Sequence, residues 1–417
     1  MAKGSKGSNG SDGGVAGDNI RLAEVGQSLF VKAAAVGIAA IAISVFLGSS
    51  ENDGWNRFSH SYLVAFVWVM TIGAGALWWI TIQNIVNSHW STVIRRVAEL
   101  IATNAWVMAV LALPVVIPLI IGKSPMYLWS DVNHMLGVPE LKHKIGYLNT
   151  QFFAIRFVFY FGYWTVLSYF FLKRSLGQDK ESADTAKKTV VTMRRVAGPA
   201  MIVFALTITF CAIDLIMSLY PRWFSTMFGV YYFASCVLAI NSSLALTLMW
   251  LQSKGRLTSS VTVHHFHDLG KMVFAFTIFW AYVGFSQFML LWYANIPEET
   301  LWFKERFANS WGTLSWFLLF GHFVIPFFGL LSRWVKRNRK ALAFWCIWQL
   351  IMIYVDMYWL VMPTLGVDEV PFKIIDLTCW LGVLSLFIAG VAYRAKSLNL
   401  LATNDPRLPD SLAFENI

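Results

Sequence analysis

The chain has 417 residues, of which 57% are hydrophobic and only 13% are charged. This composition excludes an ordinary water-soluble domain, because such domains carry about 25% charged residues. A helix needs roughly 20 apolar residues to cross about 30 Å of hydrocarbon, and ten runs of that kind occur. The chain is therefore predicted to be an all-α integral membrane protein with ten transmembrane helices. Its net charge of +10 requires no nucleic-acid partner, since topology and anionic lipids account for it.

The predicted spans follow one another from residue 28 to residue 393. Their approximate bounds are Ser28 to Leu47, His60 to Ile82, Val97 to Ile121, Phe152 to Leu172, Ala197 to Tyr220, Met227 to Leu251, Met272 to Tyr293, Gly312 to Leu331, Ala341 to Met362 and Ile374 to Tyr393. Residues 1–27 are polar and begin with a Gly/Ser-rich stretch, so they are expected to form a disordered tail. The first run lacks a convincing cleavage site and is expected to be a retained helix. A charged linker, 173–196, is expected to separate the four spans of 28–172 from the six of 197–393, and 394–417 to form a second tail.

The distribution of positive charge predicts which side of the membrane each loop occupies. With the amino terminus inside, 24 of the 33 Lys and Arg residues fall in inner segments and 8 in outer loops. Positively charged segments resist translocation, so both termini are predicted to be cytoplasmic. Two outer loops, 122–151 and 294–311, contain aromatic and apolar residues and are expected to pack on their own helix ends or on a partner subunit.

Polar residues within the apolar runs are the first candidates for function, because an unpaired polar group in hydrocarbon costs several kcal/mol. Arg156 and Asp214 lie near the outer ends of the fourth and fifth spans, where they could pair. This pair could carry protons, or it could be a structural ion pair that fixes helix register. Asp356 lies at a similar depth in the ninth span. The other polar residues of the outer third are His60, Gln287 and Asp376, while Asn241 and His322 lie near the middle.

Titratable residues also crowd the inner start of the seventh span, namely His264, His265, His267, Asp268 and Lys271. Three imidazoles beside a membrane surface could relay protons, or the group could be a solvated helix start. His322 is the single deep histidine, and a b-type haem needs two that face each other, so no haem and no metal site is expected. Pro326 could bend the same span around a wet cavity. The four cysteines are isolated in apolar runs and are expected to pack there.

Several longer strings resemble one protein family. They are DLIMSLYPRWFSTMFGVYYF at 214–233, the pieces HDLGK, FWAYVGFSQ and WYANIPEE between 267 and 299, GHFVIPFFGLLSRW at 321–334, VDMYWLVMP at 355–363 and NDPRLPDSLAFEN at 404–416. With these strings the chain resembles the NrfD-like, polysulfide-reductase-type membrane subunits of bacterial alternative complex III. The resemblance covers mostly the second half of the chain and points to the second of the two NrfD-like subunits.

The resemblance implies a subunit of a quinol:cytochrome c oxidoreductase in a bacterial inner membrane, within a respiratory or photosynthetic electron transport chain. The implied fold has two four-helix bundles, helices 2–5 and 6–9, with helices 1 and 10 at the periphery. The implied partners are a paralogous quinol-binding subunit, an iron–sulfur protein, pentahaem and monohaem cytochromes c and small membrane subunits. The haem c and the iron–sulfur clusters would lie in those partners. An acidic residue and a histidine flank the proline of the first string in the family, whereas this chain has Tyr220 and Arg222 there.

Three functions remain open on the sequence. The main hypothesis is a non-catalytic subunit of that complex, in which the outer polar residues and the inner histidines form two half-channels for protons. A second hypothesis is that this subunit itself binds quinol near His60, Tyr62 and Asp214. A third is a secondary transporter, because ten spans with midplane polar residues and broken helices are compatible with one.

Overall fold

Ten long apolar helices make up most of the chain in the computed structural model, which describes residues 18–416. They are α1 (Ala23–Ser50), α2 (Asn56–Ile85), α3 (Thr92–Ile120), α4 (Thr150–Gln178), α5 (Ala183–Leu219), α6 (Phe228–Ser253), α7 (Val263–Ala294), α8 (Asn309–Leu331), α9 (Arg339–Leu365) and α10 (Ile374–Ala395). Each is long and apolar enough to cross a bilayer, which confirms the prediction of a multi-pass, all-α membrane protein. The expected disorder of the amino-terminal tail falls, up to residue 17, outside the described residues.

Shorter helical segments lie between these spans and after the last one. They are Leu128–Ser130, Val132–Gly137, Pro139–Lys142, Pro297–Phe307, Arg333–Arg337 and Leu408–Leu412. Two of the long spans are also interrupted. A turn at Thr103 and Asn104 divides α3 into Thr92–Ala102 and Ala105–Ile120, and the middle of α8, Leu319–Val324, is π-helical. Such interruptions free backbone groups and are common at functional sites.

Two predicted boundaries differ from the structure at polar segments. The expected linker at 173–196 is mostly helical, because α4 runs on to Gln178 and α5 begins at Ala183. Likewise α1 begins at Ala23, within the segment expected to be disordered. Lys, Arg and Ala are good helix formers, so a helix continues through such residues after it leaves the apolar region. Hydropathy therefore locates the apolar part of each helix and not its ends.

The second helix, α2, lies at the centre of the molecule. Within its most apolar stretch 94% of the residues are buried, and it packs on α3, α5, α6, α9 and α10. Gly75 allows this close approach, since a side chain there would meet the carbonyl oxygen of Cys236 on α6. By contrast, α1 lies at the periphery and packs mainly on α10 through small residues such as Gly37 and Ala40.

Both ends of the described chain lie at the same end of the helices. Arg21 forms an antiparallel bridge with Asn399, and the N–H of Leu400 donates to the carbonyl oxygen of Ile20 at 2.7 Å. The end of the helices that carries both chain ends is called the tail side, and the opposite end is called the loop side. The loop after α3 and the helix Pro297–Phe307 lie on the loop side.

Aromatic residues of the loop-side segments pack on the ends of the protein's own helices. Trp129 is buried, and the Tyr127 hydroxyl donates to the carbonyl oxygen of Leu215 on α5 at 2.7 Å. Trp302 stacks on Trp223, with the ring centroids 4.3 Å apart. The loops were expected to pack either on the protein's own helix ends or on a partner subunit. The contacts of the described residues are with the protein's own helix ends.

A group of charges, all buried except the half-buried Asp179, closes the tail side and is called the tail network: Arg95, Arg96, Glu99, Asp179, Asp405 and Arg407. Arg95 donates to Asp405 at 2.6 Å and to Glu99 at 3.0 Å. Arg96 donates to Asp179 at 3.1 Å, and Arg407 donates to Asp405 at 3.0 Å. Burial acts to raise the pKa of Asp405, but the charges of Arg95 and Arg407 outweigh it and hold that pKa well below its usual range. The C-terminal tail is thus fastened to α3.

Replacing Asp405 with Asn should destabilise the protein markedly. The change leaves Arg407 buried without its carboxylate and Arg95 with Glu99 alone, and breaking a buried ion pair costs about 3–5 kcal/mol. A thiol-reactive dye can report the melting temperature, because all four cysteines are buried. Asp410→Asn is the matched control, since Asp410 lies on the same tail but is 64% exposed, where an ion pair contributes about 0–1 kcal/mol. Equal melting temperatures for the two variants would contradict this role of the tail network.

The advantage of the wild-type protein over Asp405→Asn should also depend on pH. The folded-state pKa of Asp405 lies below its unfolded value of about 3.9, so its contribution is complete above that value and is lost as the pH falls towards the folded-state pKa. The difference in melting temperature should therefore be constant between about pH 7 and pH 5 and should shrink near pH 3. A difference in melting temperature that grows as the pH falls would contradict this expectation.

Candidate functional site

Asp356, on α9, is the centre of a polar cluster between α6, α7 and α9. Its carboxyl group is fully buried. The Tyr231 hydroxyl donates to one carboxyl oxygen at 2.5 Å. The Ser235 hydroxyl, at 3.3 Å, and the Trp280 indole N–H, at 3.1 Å, donate to the other oxygen. Tyr231 and Ser235 are about one turn apart on α6, so both reach the same carboxyl group, which is held by three neutral donors.

Two other buried carboxyl groups of the loop-side half have an arginine as partner. Arg156 donates two N–H groups to Asp214 at 2.8 and 2.9 Å, and Arg57 binds Asp376 at 2.5 Å. By contrast, no Lys, Arg or His nitrogen of residues 18–416 lies within 4.0 Å of the Asp356 carboxyl oxygens. An ionised carboxylate buried without a counter-charge is costly. Asp356 is thus set apart from Asp214 and Asp376 by its neutral surroundings.

The predicted pairing of Arg156 with Asp214 is confirmed, and its surroundings make it a structural link. The Tyr160 hydroxyl also donates to Asp214 at 2.9 Å, and Arg156 donates to the carbonyl oxygen of Tyr147 at 3.0 Å. The guanidinium carbon lies 3.9 Å from the centroid of the Tyr147 ring and 4.4 Å from that of Phe152. Protonating Asp214 would leave this guanidinium unpaired, so the ion pair holds α4 against α5.

His322 lies next to the Asp356 cluster, in the π-helical part of α8. Its ring packs on the Trp280 ring at a centroid distance of 3.8 Å, and Trp280 in turn donates to Asp356. Neither ring nitrogen of His322 has a hydrogen-bond partner among residues 18–416. Pro326 has no N–H for the carbonyl oxygen of His322 four residues earlier, and the Gln349 side-chain amide donates to that oxygen at 3.3 Å. A histidine and an acid thus contact the same tryptophan.

Buried polar atoms without a hydrogen-bond partner in the described chain occur along the whole length of α6–α9. Six of the side chains that carry them are called the polar series: Gln287, His322, Gln349, Asn241, Ser242 and His267. Gln252 and Tyr358 on the same helices also carry such an atom. On α7 alone, the distance along the helix from Gln287 to His267 is about 30 Å. The hydrocarbon core of a bilayer is also about 30 Å thick. The polar series therefore covers the depth of a membrane.

Part of the predicted histidine group at the start of α7 anchors the C-terminal tail. The His265 ring caps α7 together with Thr262, and its Nε2 lies 3.1 Å from the carbonyl oxygen of Ser411. The Nδ1 atom of His264 accepts a hydrogen bond from the N–H of Asn416 at 2.9 Å. These two imidazoles therefore hold the end of the chain against the tail side of α7.

The remaining members of this group divide between the tail and the interior. Asp268 binds the side-chain amide of Asn416 and pairs with Lys271 at 2.5 Å. His267 is 5% exposed, and its Nδ1 has no hydrogen-bond partner in the part of the chain that the structure describes. Of the three neighbouring histidines, it is His267 that belongs to the polar series.

The predicted quinol-binding residues, His60, Tyr62 and Asp214, are buried and have separate partners. His60 Nε2 lies 3.1 Å from the Thr364 hydroxyl oxygen, and the Tyr62 hydroxyl donates to the carbonyl oxygen of Leu111 at 2.8 Å. The Asp214 carboxylate pairs with Arg156 on α4. No hydrogen bond within residues 18–416 joins these three side chains to one another.

Tyr220 and Arg222, where the chain departs from the family pattern, lie in the segment between α5 and α6. The Tyr220 hydroxyl donates to Glu305 at 3.2 Å. Arg222 lies 3.8 Å from Glu140, and both of these charged side chains are exposed. The two residues therefore connect loop-side segments and do not contact the Asp356 cluster by a described hydrogen bond.

The donors to Asp356, which are Tyr231, Ser235 and Trp280, were not singled out by sequence reasoning. They are neutral, and the chain contains 20 Trp and 14 Tyr residues, so their type carries little information. The four-residue spacing of Tyr231 and Ser235 on α6 is a usable signal only once Asp356 is known to face that helix. Contacts between distant helices identify them.

Arg306 is a further residue that the sequence placed in an outer loop, whereas it is fully buried in the helix Pro297–Phe307. Its N–H groups donate to the carbonyl oxygens of Trp302, Trp359 and Leu360 at 2.9 to 3.3 Å. Burial lowers the pKa of Arg306 to about 9, so the guanidinium remains charged near neutral pH. Its charge stabilises the C-terminal end of the helix Arg339–Val361, where the helix dipole is negative.

Comparison with models of known protein families and with curated proteins found no match for this chain. Within residues 18–416, no three His, Cys, Asp or Glu side chains are grouped as metal ligands would be. The residues that the geometry brings together are Asp356, its three donors, His322 and the rest of the polar series.

Asp214→Asn should destabilise the protein more than Asp356→Asn does. The first change strands the Arg156 guanidinium, which costs about 3–5 kcal/mol. The second removes a carboxyl group that has no cationic partner in the described chain, and the amide oxygen still accepts hydrogen bonds, so the cost is about 1–3 kcal/mol. Melting temperatures in one detergent compare the two variants. A loss for Asp356→Asn as large as that for Asp214→Asn would mean that Asp356 has a strong ionic partner after all.

Proposed function

We propose that α6–α9 hold a path for protons across the membrane and that Asp356 exchanges protons along this path. The observation that carries this proposal is the buried Asp356 carboxyl group, which has no counter-charge among the described residues. Such a carboxyl group can take up and release a proton without stranding a cation. Intramembrane acids that face a bundle interior mark proton relays in pumps and transporters.

The polar series supports a route on both sides of Asp356. Gln287 lies between Asp356 and the loop side, whereas His322, Gln349 and His267 follow towards the tail side. Buried polar atoms that lack a protein partner are places where ordered water binds. Water held by these atoms would connect the titratable groups and complete a loop-side arm and a tail-side arm.

The distribution of charge supports placing the tail side in the cytoplasm. Of the 31 Lys and Arg residues within 18–416, the segments on that side hold 22. Cytoplasmic loops carry such an excess because positive charge resists translocation. Protons would then enter the tail-side arm from the cytoplasm of a bacterial cell and leave through the loop-side arm.

We further propose that the chain is a subunit of a quinol:cytochrome c oxidoreductase and has no redox centre of its own. Four of the strings that resemble NrfD-like subunits contain Tyr231, Trp280, His322 and Asp356, one residue each. These four side chains meet in one cluster, which supports a shared function of the strings. The contacts within α2–α5, within α6–α9, and of α1 with α10 are compatible with the two-bundle arrangement of that family.

In such an assembly, electron transfer and proton transfer would take place in different subunits. Quinol would be oxidised at the paralogous membrane subunit, and the iron–sulfur clusters and c-type haems would lie in the partner proteins. The separate partners of His60, Tyr62 and Asp214 in this chain favour that division over a quinol site here. This chain would use the released energy by moving protons past Asp356.

The chain should copurify with c-type haem. An affinity tag on either terminus, mild detergent and membranes from the native host are sufficient for this test, and the readout is a reduced-minus-oxidised visible spectrum. We expect the spectrum of c-type cytochromes together with additional subunits on a gel. A colourless and monodisperse preparation of this chain alone would contradict membership of the complex and would favour a secondary transporter.

Asp356→Asn should lower the number of protons released per electron without abolishing quinol oxidation. The measurement uses the purified complex in proteoliposomes, with an external pH dye and a cytochrome c acceptor. Asp356→Glu, which keeps a carboxyl group, should restore proton release. His322→Phe should also lower it, because the ring still packs on Trp280 but has no nitrogen to bind water.

The matched control for this experiment is Asp410→Asn, a change of the same charge at an exposed position outside the proton path. It should leave both quinol oxidation and proton release as in the wild type. Unchanged proton release in Asp356→Asn would contradict the proton path. Loss of quinol oxidation itself in Tyr62→Phe, with proton release per remaining electron intact, would place the quinol site in this chain.

A further inference from the structure

A small polar cavity opens at the tail-side junction of α3 and α10, away from the Asp356 cluster. Its volume is about 310 Å³, which is at the lower end of the range of roughly 300–1,000 Å³ for ligand pockets. Among the side chains that line it are Thr103, Asn104, Trp106, Arg394, Lys396 and Ser397. The cavity therefore lies beside the break in α3 and at the last turn of α10.

The cavity has two cationic side chains and no carboxylate among its lining residues. Neither Arg394 nor Lys396 forms an ion pair within residues 18–416. Both are positioned by neutral groups instead. Arg394 donates to the Tyr169 hydroxyl at 3.3 Å, and the Lys396 ammonium donates to Gln27 at 2.9 Å. Since an arginine has five N–H donors and a lysine three, both keep donors for an anion.

The backbone of α3 adds to the positive potential of the cavity. Asn104 is the N-cap of the helix Ala105–Ile120, which has 16 residues, and Asn104 and Trp106 both line the cavity. The N-terminus of a helix carries the positive end of its dipole and a set of free N–H groups, which favour phosphate and other anions. Two cationic residues and a helix N-terminus thus border one small space.

An exposed apolar surface continues from this cavity along the same helix. Trp106, Val110, Leu113 and Ile117 are spaced by four, three and four residues, so they share one face of α3. Each is 38 to 52% exposed. This face runs from the cavity towards the loop side over most of the length of Ala105–Ile120. Its length and chemistry suit an acyl chain.

We propose that this cavity binds the phosphate group of an anionic membrane lipid, with an acyl chain along Trp106, Val110, Leu113 and Ile117. The cationic cavity at the helix ends supplies the headgroup site, and basic pockets between transmembrane helices bind acidic headgroups in this way. The chemistry recognised is a phosphate oxyanion, which inorganic phosphate also provides. The acyl surface on α3 favours the lipid as its source. This inference does not depend on the proton path.

Native mass spectrometry of the protein in detergent, titrated with phosphatidylglycerol or with phosphatidylcholine, tests the site. We expect selective binding of phosphatidylglycerol to the wild type. The double variant Arg394→Gln/Lys396→Gln should bind it about 30-fold more weakly, because each cation near an anionic lipid contributes about fivefold. Equal binding of phosphatidylglycerol by the wild type and this variant would overturn the proposal.

The matched control is Lys254→Gln/Lys340→Gln, which removes two exposed lysines from the same side of the membrane but not from the cavity. It should bind phosphatidylglycerol as the wild type does. A 30-fold loss in this control as well would show a general surface-charge effect and would also overturn the site. Melting temperatures of both double variants, which change exposed or half-buried side chains, establish that they remain folded.

Inorganic phosphate added in excess distinguishes the two sources of the anion. If the lipid is the ligand, phosphatidylglycerol stays bound, because its acyl chains contribute contacts that phosphate lacks. Glycerol phosphate, which is the headgroup without acyl chains, should then bind far more weakly than the lipid. Complete displacement of phosphatidylglycerol by inorganic phosphate would assign the cavity to the free ion and overturn the lipid proposal.

Discussion

A charge inside a bilayer costs several kcal/mol unless an opposite charge or a set of hydrogen bonds compensates for it, and this constraint organises the polar residues of this protein. Arg156 and Asp214 neutralise each other between α4 and α5, and Arg57 and Asp376 do so between α2 and α10. The tail network applies the same solution where the helices leave the membrane. Against that background, the neutral surroundings of Asp356 distinguish it from the structural acids.

The local structure of α8 explains how a histidine can lie next to the Asp356 cluster with neither ring nitrogen hydrogen-bonded within residues 18–416. Pro326 cannot donate to the carbonyl oxygen of His322, and the π-helical turn around His322 widens the helix where Gln349 enters to supply a donor. The same turn brings the imidazole onto Trp280, which connects it to Asp356. A break in backbone hydrogen bonding is thus stabilised by a side chain, and the imidazole is left free to bind water.

Much of the fold could be predicted, whereas the partners of the site residues could not. The pairing of Arg156 with Asp214 followed from two opposite charges at the same depth, because an unpaired charge in lipid is rare. The histidines at the start of α7 were predicted to form either a proton relay or a solvated helix start, and the structure shows that His264 and His265 bind the C-terminal tail. Their tail partners lie about 150 residues further along the chain, so no local pattern could reveal them.

The sequence by itself determined the ten helices that are long and apolar enough to span a membrane, the boundaries of their apolar parts and the position of each polar residue along its helix. These properties depend on hydrophobicity summed over neighbouring residues, because the length and polarity of a segment decide whether it can cross the bilayer. Only the tertiary structure decided which acids are neutralised. The three donors to Asp356 come from residues that lie 76 to 125 positions away in the sequence. Arg156, which pairs with Asp214, lies 58 positions away from it. Whether a buried acid has an arginine or three neutral donors beside it depends on how helices pack, and helix packing is set by side-chain shape and close approach of backbones rather than by hydropathy.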